Sequence, residues 1–217
     1  QEAQAALGDL VFADPGRGGQ LVPARRYLSG NIADRLAAAT AAGPAFQRNV
    51  DALTAVAPVE LGPLDITVAL GSPFVATSDI EDFCKDVLGR RANVQHSAAT
   101  GSWKVDTPYG VSSTTAMTEY GTPRMNGYLL IACALNGRSP VVYDEVYEHH
   151  QVRKVRNGAE TIAAQEKLSA IQERFALWVW EDGDRSERIC REYNRRFNSH
   201  VIARHDGSHL SLPGLAA

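Results

Sequence analysis

Cysteine is scarce in this chain, and its shortage bears on where the protein folds. Three cysteines occur in 217 residues, far apart and without a Cys-x-x-Cys pair. An odd and sparse set of this kind excludes the disulfide framework that small secreted domains use in place of a large core. Each cysteine falls in an apolar helical pattern, so we expect buried free thiols, a reducing compartment and a cytoplasmic location. These residues are Cys84, Cys133 and Cys190.

Long apolar runs, a signal segment and an excess of positive charge are also missing. No run approaches the ~20 apolar residues that a helix needs to span a bilayer, and no basic segment followed by an apolar one opens the chain. We therefore expect no membrane partner. The formal net charge of −3 and the pI near 6.1 argue against a protein that holds nucleic acid by bulk charge alone. The composition, 44% hydrophobic and 22% charged, is that of a globular chain able to bury a core.

The motifs of the common enzyme classes do not occur in the sequence. The glycine-rich run at residues 16–19 lacks the Gly-Lys-Ser/Thr ending of a phosphate-binding loop. A serine nucleophile elbow, a His-Glu-x-x-His pair, an amino-methyltransferase motif and a dinucleotide-binding glycine motif are missing as well. Adjacent carboxylates such as Asp144 and Glu145 point to different faces and do not form an acid–base pair. We therefore expect no catalytic residues and no cofactor.

Helical patterns dominate a minority of short strands, which predicts an α+β class and a helix-rich single domain with short antiparallel hairpins. Its predicted parts are an N-terminal hairpin, a helical hairpin, a mixed α/β stretch, and long helices that lead into a C-terminal hairpin. They cover residues 1–28, 29–57, 58–150 and 151–217.

Local signals place the individual elements of these parts. Capping residues, periodic apolar positions and terminal glycines predict helices at residues 32–42, 44–56, 78–88, 124–135, 157–180 and 184–197. Alternation and turn residues predict strands at residues 10–12, 21–22, 64–70, 94–96, 103–105, 140–143, 200–204 and 209–212.

The helix predicted over residues 184–197 separates apolar from basic residues. Its apolar stripe consists of Ile189, Cys190, Tyr193 and Phe197. Five arginines fall on the opposite half: Arg185, Arg188, Arg191, Arg195 and Arg196. Arginine forks match phosphate oxygens, so this face is a candidate DNA contact. The alternative is a solvated face with Arg–Glu pairs, which is the default for the outer side of an amphipathic helix.

A second basic spot precedes the long helix, at Arg153, Lys154 and Arg156. Together with the arginine face it favours a weak, salt-dependent contact with DNA, because lysine and arginine neutralise phosphates. The alternative is a solvated loop.

Three aromatic residues close the long helix: Phe175, Trp178 and Trp180. Phe175 and Trp178 are three residues apart and can share a core stripe, and packing is the more common role of such side chains. An exposed tryptophan can instead stack on a base. Asn194 and Asn198 are expected to bind backbone rather than adenine edges.

Histidines near the C-terminus are the best metal-ligand candidates: His200, His205 and His209, with Asp206 beside them. Imidazole suits zinc, but structural zinc usually has four ligands and no cysteine lies nearby. We therefore expect no metal site, and His149 with His150 should form a polar surface loop.

Several stretches of the sequence resemble the connecting region that precedes the superfamily-2 motor in large DNA methyltransferase–helicase polypeptides of phages and mobile elements. The resemblance lies in residues 27–31, 120–124, 135–136 and 157–214. It implies a segment of a longer polypeptide, consistent with a start at Gln1 and an end soon after Pro213-Gly214. It also implies flanking helicase and methyltransferase domains as partners, and a role in phage defence or restriction–modification. The motifs carried by the resemblance are not catalytic.

The sequence thus leaves three hypotheses. The first is a non-catalytic accessory domain that positions DNA for the motor. The second is a structural coupler without DNA contact, which would pack on neighbouring domains through Phe175, Trp178, Trp180, Leu210 and Leu212. The third is a metal-dependent enzyme that would use the C-terminal histidines.

Overall fold

The computed structural model describes residues 7–110, 113–148 and 151–203. Helices dominate this part of the chain, and its strands pair two by two in antiparallel sheets, which confirms the predicted α+β class with short hairpins. In chain order the elements are β1 (Val11–Asp14), β2 (Gln20–Pro23), α1 (Ala24–Tyr27), β3 (Gly30–Asn31), α2 (Ile32–Ala41), α3 (Gln47–Val56), α4 (Thr77–Leu88), β4 (Asn93–Ser97), β5 (Ser102–Asp106), α5 (Gly127–Leu135), β6 (Tyr143–Glu148), β7 (Gln151–Arg156), α6 (Gly158–Trp178), α7 (Gly183–Phe197) and β8 (His200–Val201).

The chain divides into two compact units, and each is described by itself. Unit 1 comprises Gln1–Leu61 and Tyr193–Ala217, and unit 2 comprises Gly62–Glu192. The boundary between them falls within the sequence of α7.

Unit 1 contains the predicted N-terminal hairpin and the predicted helical hairpin. The turn between β1 and β2 is closed by Asp14, whose carboxylate accepts a hydrogen bond from the Gly16 amide at 3.0 Å. Asn31 caps α2 by accepting from the amide of Asp34 at 3.1 Å, as the sequence predicts. The core of this unit is one apolar cluster of Phe12, Val22, Tyr27, Ile32, Ala39 and Leu53.

His200 and Val201 do not pair within the predicted C-terminal hairpin. These two residues form β8, which pairs antiparallel with β3 at Gly30 and Asn31. The other half of the predicted hairpin, residues 209–212, lies outside the described residues.

In unit 2, α6 carries the main packing stripe. Asn157 caps it by accepting from the amide of Glu160 at 3.0 Å, as predicted. Its buried positions alternate by three and four residues: Thr161, Ala164, Leu168, Ile171, Phe175 and Trp178. Among the described residues no helix, α6 included, has the length and apolar character needed to cross a membrane.

The stretch predicted as a strand at residues 64–70 is an irregular segment. Ile66, Val68 and Leu70 are buried while the residues between them are exposed, so the alternation that suggests a strand is present. No strand in the described ranges pairs with this segment. A period of two reports which side chains are buried, but a strand also needs a neighbour for its backbone hydrogen bonds.

Two other boundaries differ from the predicted ones. Helix α5 begins at Gly127, where Asn126 caps it by accepting from the amide of Leu129 at 3.1 Å. Thr122, two residues before the predicted start of that helix, closes a turn by accepting from the Met125 amide. Likewise β6 begins at Tyr143 and not at Pro140, and pairs with β7 in a hairpin that the sequence analysis does not predict.

The hairpin of β4 and β5 is the one predicted around residues 98–102. Asn136, at the end of α5, joins this hairpin to the helix through its amide. The Asn136 side chain accepts from the Trp103 amide at 3.0 Å and donates to the Trp103 carbonyl at 2.9 Å. A side-chain amide thus completes the edge of the strand.

None of the three cysteines forms a disulfide, as expected, but Cys133 and Cys190 are only partly buried. Cys84 is fully buried in α4, and burial raises the pKa of its thiol to about 12, with a further contribution from the charge of Glu81. Because the thiolate is the reactive form, Cys84 is chemically inert in the folded unit.

Candidate functional site

The first arginine of the predicted DNA-binding face, Arg185, contacts the end of α6. Its guanidinium lies 3.5 Å from the centroid of the Trp178 ring. It donates to the carbonyl of Val179 at 3.1 Å and to that of Trp178 at 2.6 Å. A cation at the C-terminal end of a helix satisfies carbonyls that lack helical partners. Arg185 therefore stabilises the junction between α6 and α7.

The second arginine, Arg188, pairs with a buried carboxylate of α4. Asp79 is 4% exposed, and its carboxylate also accepts a hydrogen bond from the Ala76 amide at 3.3 Å. Arg188 donates to the other oxygen of this carboxylate. A buried charge is costly without a partner, so Arg188 serves the fold of unit 2.

The remaining arginines of α7 are exposed. Arg191 forms an ion pair with Glu187 one turn earlier, and both side chains are more than two-thirds exposed. This is the Arg–Glu pairing that the sequence analysis sets against DNA contact for this face. Arg195 and Arg196 are exposed in the last turn. The helix thus uses its first two arginines for packing and presents its last three to solvent.

The second basic spot lies on a strand, and not in the solvated loop that is the alternative to DNA contact. Arg153, Lys154 and Arg156 belong to β7, and all three are exposed. In the part of the chain that the structure describes, none of them forms an ion pair or a side-chain hydrogen bond. The whole of β7 is exposed, so these side chains alternate between the two sides of an uncovered hairpin.

The hairpin of β6 and β7 presents two different sides. Directly paired residues on antiparallel strands point to the same side of the sheet. One side, here called the tyrosine side, consists of Tyr143 with Arg156, Glu145 with Lys154, and Tyr147 with Val152. The other, the valine side, includes Asp144 with Val155 and Val146 with Arg153.

Both sides expose apolar or aromatic surface. On the tyrosine side, Tyr147 is 77% exposed, Val152 54% and Tyr143 48%. On the valine side, Val155 and Val146 are also exposed. An isolated two-stranded sheet is marginally stable in water, so the hairpin needs an anchor.

That anchor lies at the base of the hairpin. The backbone of Val142 receives a hydrogen bond at its carbonyl from the Asn157 amide at 2.9 Å, and its own amide donates to the Thr161 hydroxyl at 3.0 Å. Asp144 accepts from Arg124 at 2.7 Å and from the Asn157 side chain at 2.8 Å. These two hydrogen bonds, from Arg124 first, hold the pKa of Asp144 below its usual value.

The aromatic residues proposed for inter-domain contact lie inside or beside the core of unit 2. Phe175 is fully buried and Trp178 is 2% exposed. Their rings meet Phe83 edge-on, with centroids 5.0 Å and 5.3 Å away respectively. Trp180 is half-buried, and Leu210 and Leu212 lie outside the described residues. Phe175 and Trp178 therefore have the packing role and present no ring surface to another domain.

The polar side chains near the end of α7 bind backbone. Asn194 donates to the carbonyl of Leu61 and accepts from its amide, both at 2.9 Å. Asn198 donates to the carbonyl of Val59 at 2.8 Å. These contacts confirm the backbone role that the sequence favours for the two side chains, although the partner is a distant segment and not the helix end.

Of the histidines near the C-terminus, His200 is among the described residues. His200 is exposed in β8. His205, His209 and Asp206 lie outside the described ranges, as do His149 and His150. Within those ranges no group of three or more His, Cys, Asp or Glu side chains is arranged to hold a metal ion.

A readable signal for the hairpin of β6 and β7 is present in the sequence. Residues 143–148 and 151–156 carry tyrosines and valines among charged residues, on either side of a two-residue connection. Valine and tyrosine favour strands, whereas the adjacent charged residues at 144–145 and 153–154 break the period of two that would have predicted them. The apolar run at residues 140–143 favours an earlier strand, which hides the pattern that follows.

The family model described as "Domain of unknown function (DUF8437)" matches residues 69–199, which is more than half of the chain. The chain therefore belongs to this family. The matched stretch covers most of unit 2, including the hairpin of β6 and β7. Comparison with curated proteins and with solved structures gave no match.

Proposed function

We propose that this chain is a non-catalytic accessory domain that positions DNA for a neighbouring motor, and that its contact with DNA is made by the hairpin of β6 and β7. The observation that carries this proposal is the exposed strand β7, with Arg153, Lys154 and Arg156 in six residues and no ion pair to any of them within the described residues. The larger setting, a DNA helicase–methyltransferase polypeptide, rests on the sequence resemblance.

Availability of charge is the reason to favour β7 over α7 as the contact. Lysine and arginine bind phosphates by displacing counterions, so a side chain must be free to leave its protein contacts. Arg185 and Arg188 cannot do so without exposing carbonyls or a buried carboxylate. Within the described residues, the basic side chains of β7 have no such contact to give up.

The acidic residues of β6 set the strength of the interaction. Asp144 is engaged by Arg124, and Glu145 lies opposite Lys154 in the hairpin. With a net charge of −3 for the chain, long-range attraction to DNA is absent. We therefore expect weak binding that weakens further with salt.

Fluorescence anisotropy with labelled single-stranded, duplex and forked DNA at two salt concentrations tests the proposal. The triple variant Arg153→Glu, Lys154→Glu, Arg156→Glu should lose binding, because three phosphate contacts become repulsive. Replacing the same three residues with Gln should lower the slope of log K against log salt by about 2–3, at roughly 0.7–0.9 per contact.

A matched control carries the same change in net charge elsewhere. Arg25, Arg26 and Lys85 are exposed and, within the described residues, form no side-chain ion pair. Changing these three to Glu should leave most of the binding intact. Equal loss in both triple variants would show that only the total charge matters, and no binding of wild type at low salt would refute DNA contact.

A structural coupler is the second candidate, and the valine side of the hairpin favours it. Val146 and Val155 are 38% and 44% exposed on a side without aromatic residues. Exposed apolar surface of this kind is suited to a protein neighbour. Val146→Ser with Val155→Ser should weaken association with a flanking domain in a pull-down while leaving DNA affinity unchanged.

A further inference from the structure

We propose that the tyrosine side of the hairpin stacks on unpaired bases, so that the DNA this domain takes is single-stranded. The inference rests on the proposed function and names the form of DNA that the same site would bind. Its basis is an arrangement of two exposed aromatic rings and two basic side chains on one side of an uncovered sheet.

The spacing of the two rings suits separate bases. Tyr143 and Tyr147 are four residues apart on β6, so they point to the same side and lie roughly 13 Å apart at a rise of about 3.4 Å per residue. Tyr147 is 77% exposed near the tip, and Tyr143 is 48% exposed near the base. Both rings are thus exposed, and at this separation each can take its own base.

Cations stand beside both rings. Arg156 is the direct cross-strand partner of Tyr143, and Lys154 lies between the two tyrosines across from Glu145. Aromatic rings that stack on bases, with basic side chains along the backbone path, are the usual elements of a surface for single strands. The side carries Lys154 and Arg156 against Glu145, so its charge is complementary to phosphate.

Stacking of this kind selects the form of the DNA. In a duplex the faces of each base are covered by the neighbouring bases, and a ring on a protein surface cannot reach them without unstacking the helix. Unpaired bases expose their faces at no such cost. A hairpin with open tyrosine rings therefore gains stacking energy only from a single strand, whereas Lys154 and Arg156 contact the phosphates of either form.

The valine side offers a built-in comparison. It carries Arg153 but no aromatic residue, and its Asp144 is held by Arg124 and Asn157. It can contribute a phosphate contact but no stacking. Preference for single strands should therefore depend on the tyrosines alone.

The test uses the 217-residue chain and three fluorescein-labelled probes: a 20-nucleotide oligothymidine, an abasic strand of the same length, and a 20-base-pair duplex. Wild type should bind oligothymidine more tightly than the other two. Tyr143→Leu with Tyr147→Leu should weaken oligothymidine binding about tenfold or more, since stacking contributes about 1–3 kcal/mol per base. The same variant should bind the abasic strand and the duplex as wild type does, with an unchanged salt slope.

The matched control is Tyr143→Phe with Tyr147→Phe, which keeps the rings and removes only the hydroxyls. It should bind oligothymidine within about twofold of wild type, because stacking uses the ring face. A Glu145→Gln variant should bind all three probes more tightly, since it removes the negative charge opposite Lys154.

Three outcomes overturn the inference in different ways. If wild type binds duplex and single strand equally and the leucine variant changes neither, stacking is refuted while DNA contact stands. If wild type binds none of the probes at low salt, the proposed function fails and the stacking surface fails with it. Loss of abasic-strand binding in the leucine variant would show that the tyrosines act on the hairpin fold and not on bases.

Discussion

Helix α7 and strand β7 both concentrate basic residues, but they use them differently. The first two arginines of α7 are occupied by the end of α6 and by the buried carboxylate of Asp79. The basic side chains of β7 are exposed, as is the whole strand. A run of basic residues in a sequence therefore indicates charge, but not whether the side chains are available to a ligand. Packing of the helix against its neighbours decides which of its arginines remain for a ligand.

The largest effect is expected from removing Arg188, which tests whether this arginine serves the fold and not DNA. Arg188→Met should lower the free energy of unfolding of unit 2 by about 1–3 kcal/mol, because the buried Asp79 carboxylate loses its charged partner. The melting temperature followed by circular dichroism measures this loss. DNA affinity, measured below the melting transition, should stay the same.

A double variant serves as the control for that experiment. Asp79→Asn removes the buried charge and keeps a side-chain oxygen for the Ala76 amide. In the presence of Asp79→Asn, the change Arg188→Met should therefore cost much less. If Arg188→Met instead left stability unchanged and abolished DNA binding, Arg188 would belong with the side chains of β7.

The stability of the hairpin should depend on pH through Asp144, which anchors its base. The hydrogen bonds from Arg124 and Asn157 lower the pKa of Asp144 from its ordinary value of 3.8. Their stabilising contribution is therefore fully present above that value and is lost as the pH falls through the lowered pKa. Amide exchange in β6 and β7 should accelerate severalfold in acid relative to α6.

Asp144→Asn should reproduce the acid behaviour at neutral pH, because the amide cannot bear the charge that pairs with Arg124. The exchange of the hairpin amides relative to those of α6 should then no longer change across the same pH range in this variant. Acid loosening that persists in Asp144→Asn would place the titrating group elsewhere.

The sequence predicts the elements whose signals are local. The cap at Asn157 and the spacing of buried residues determine α6, and the turn at Asp14 determines the first hairpin. Contacts between distant residues are different in kind. Asp79 lies 109 residues before Arg188, and no pattern within α7 indicates that this arginine faces a carboxylate.

The same limit explains the segment at residues 64–70, whose alternation is correct for burial and wrong for pairing. Alternation is a property of one segment, whereas a strand requires a second segment that only the assembled fold supplies. The hairpin of β6 and β7 is the opposite case. Its two strands pair, although adjacent charged residues at 144–145 and 153–154 break the period of two, and only their tyrosine and valine content indicates a strand.

The smallest effect on stability is expected at Arg191, which is exposed on α7. Its pair with Glu187 is exposed on both sides, so screening by water and salt leaves it a contribution below about 0.5 kcal/mol. Arg191→Met should therefore shift the melting temperature far less than Arg188→Met, and added salt should remove even that shift. DNA affinity distinguishes what the exposed part of α7 does. An unchanged DNA affinity of Arg191→Met would confine the contact to the hairpin. A reduced salt slope with unchanged stability would instead extend the contact to α7. The reason is that an arginine paired only with an exposed carboxylate can exchange that partner for a phosphate at little cost.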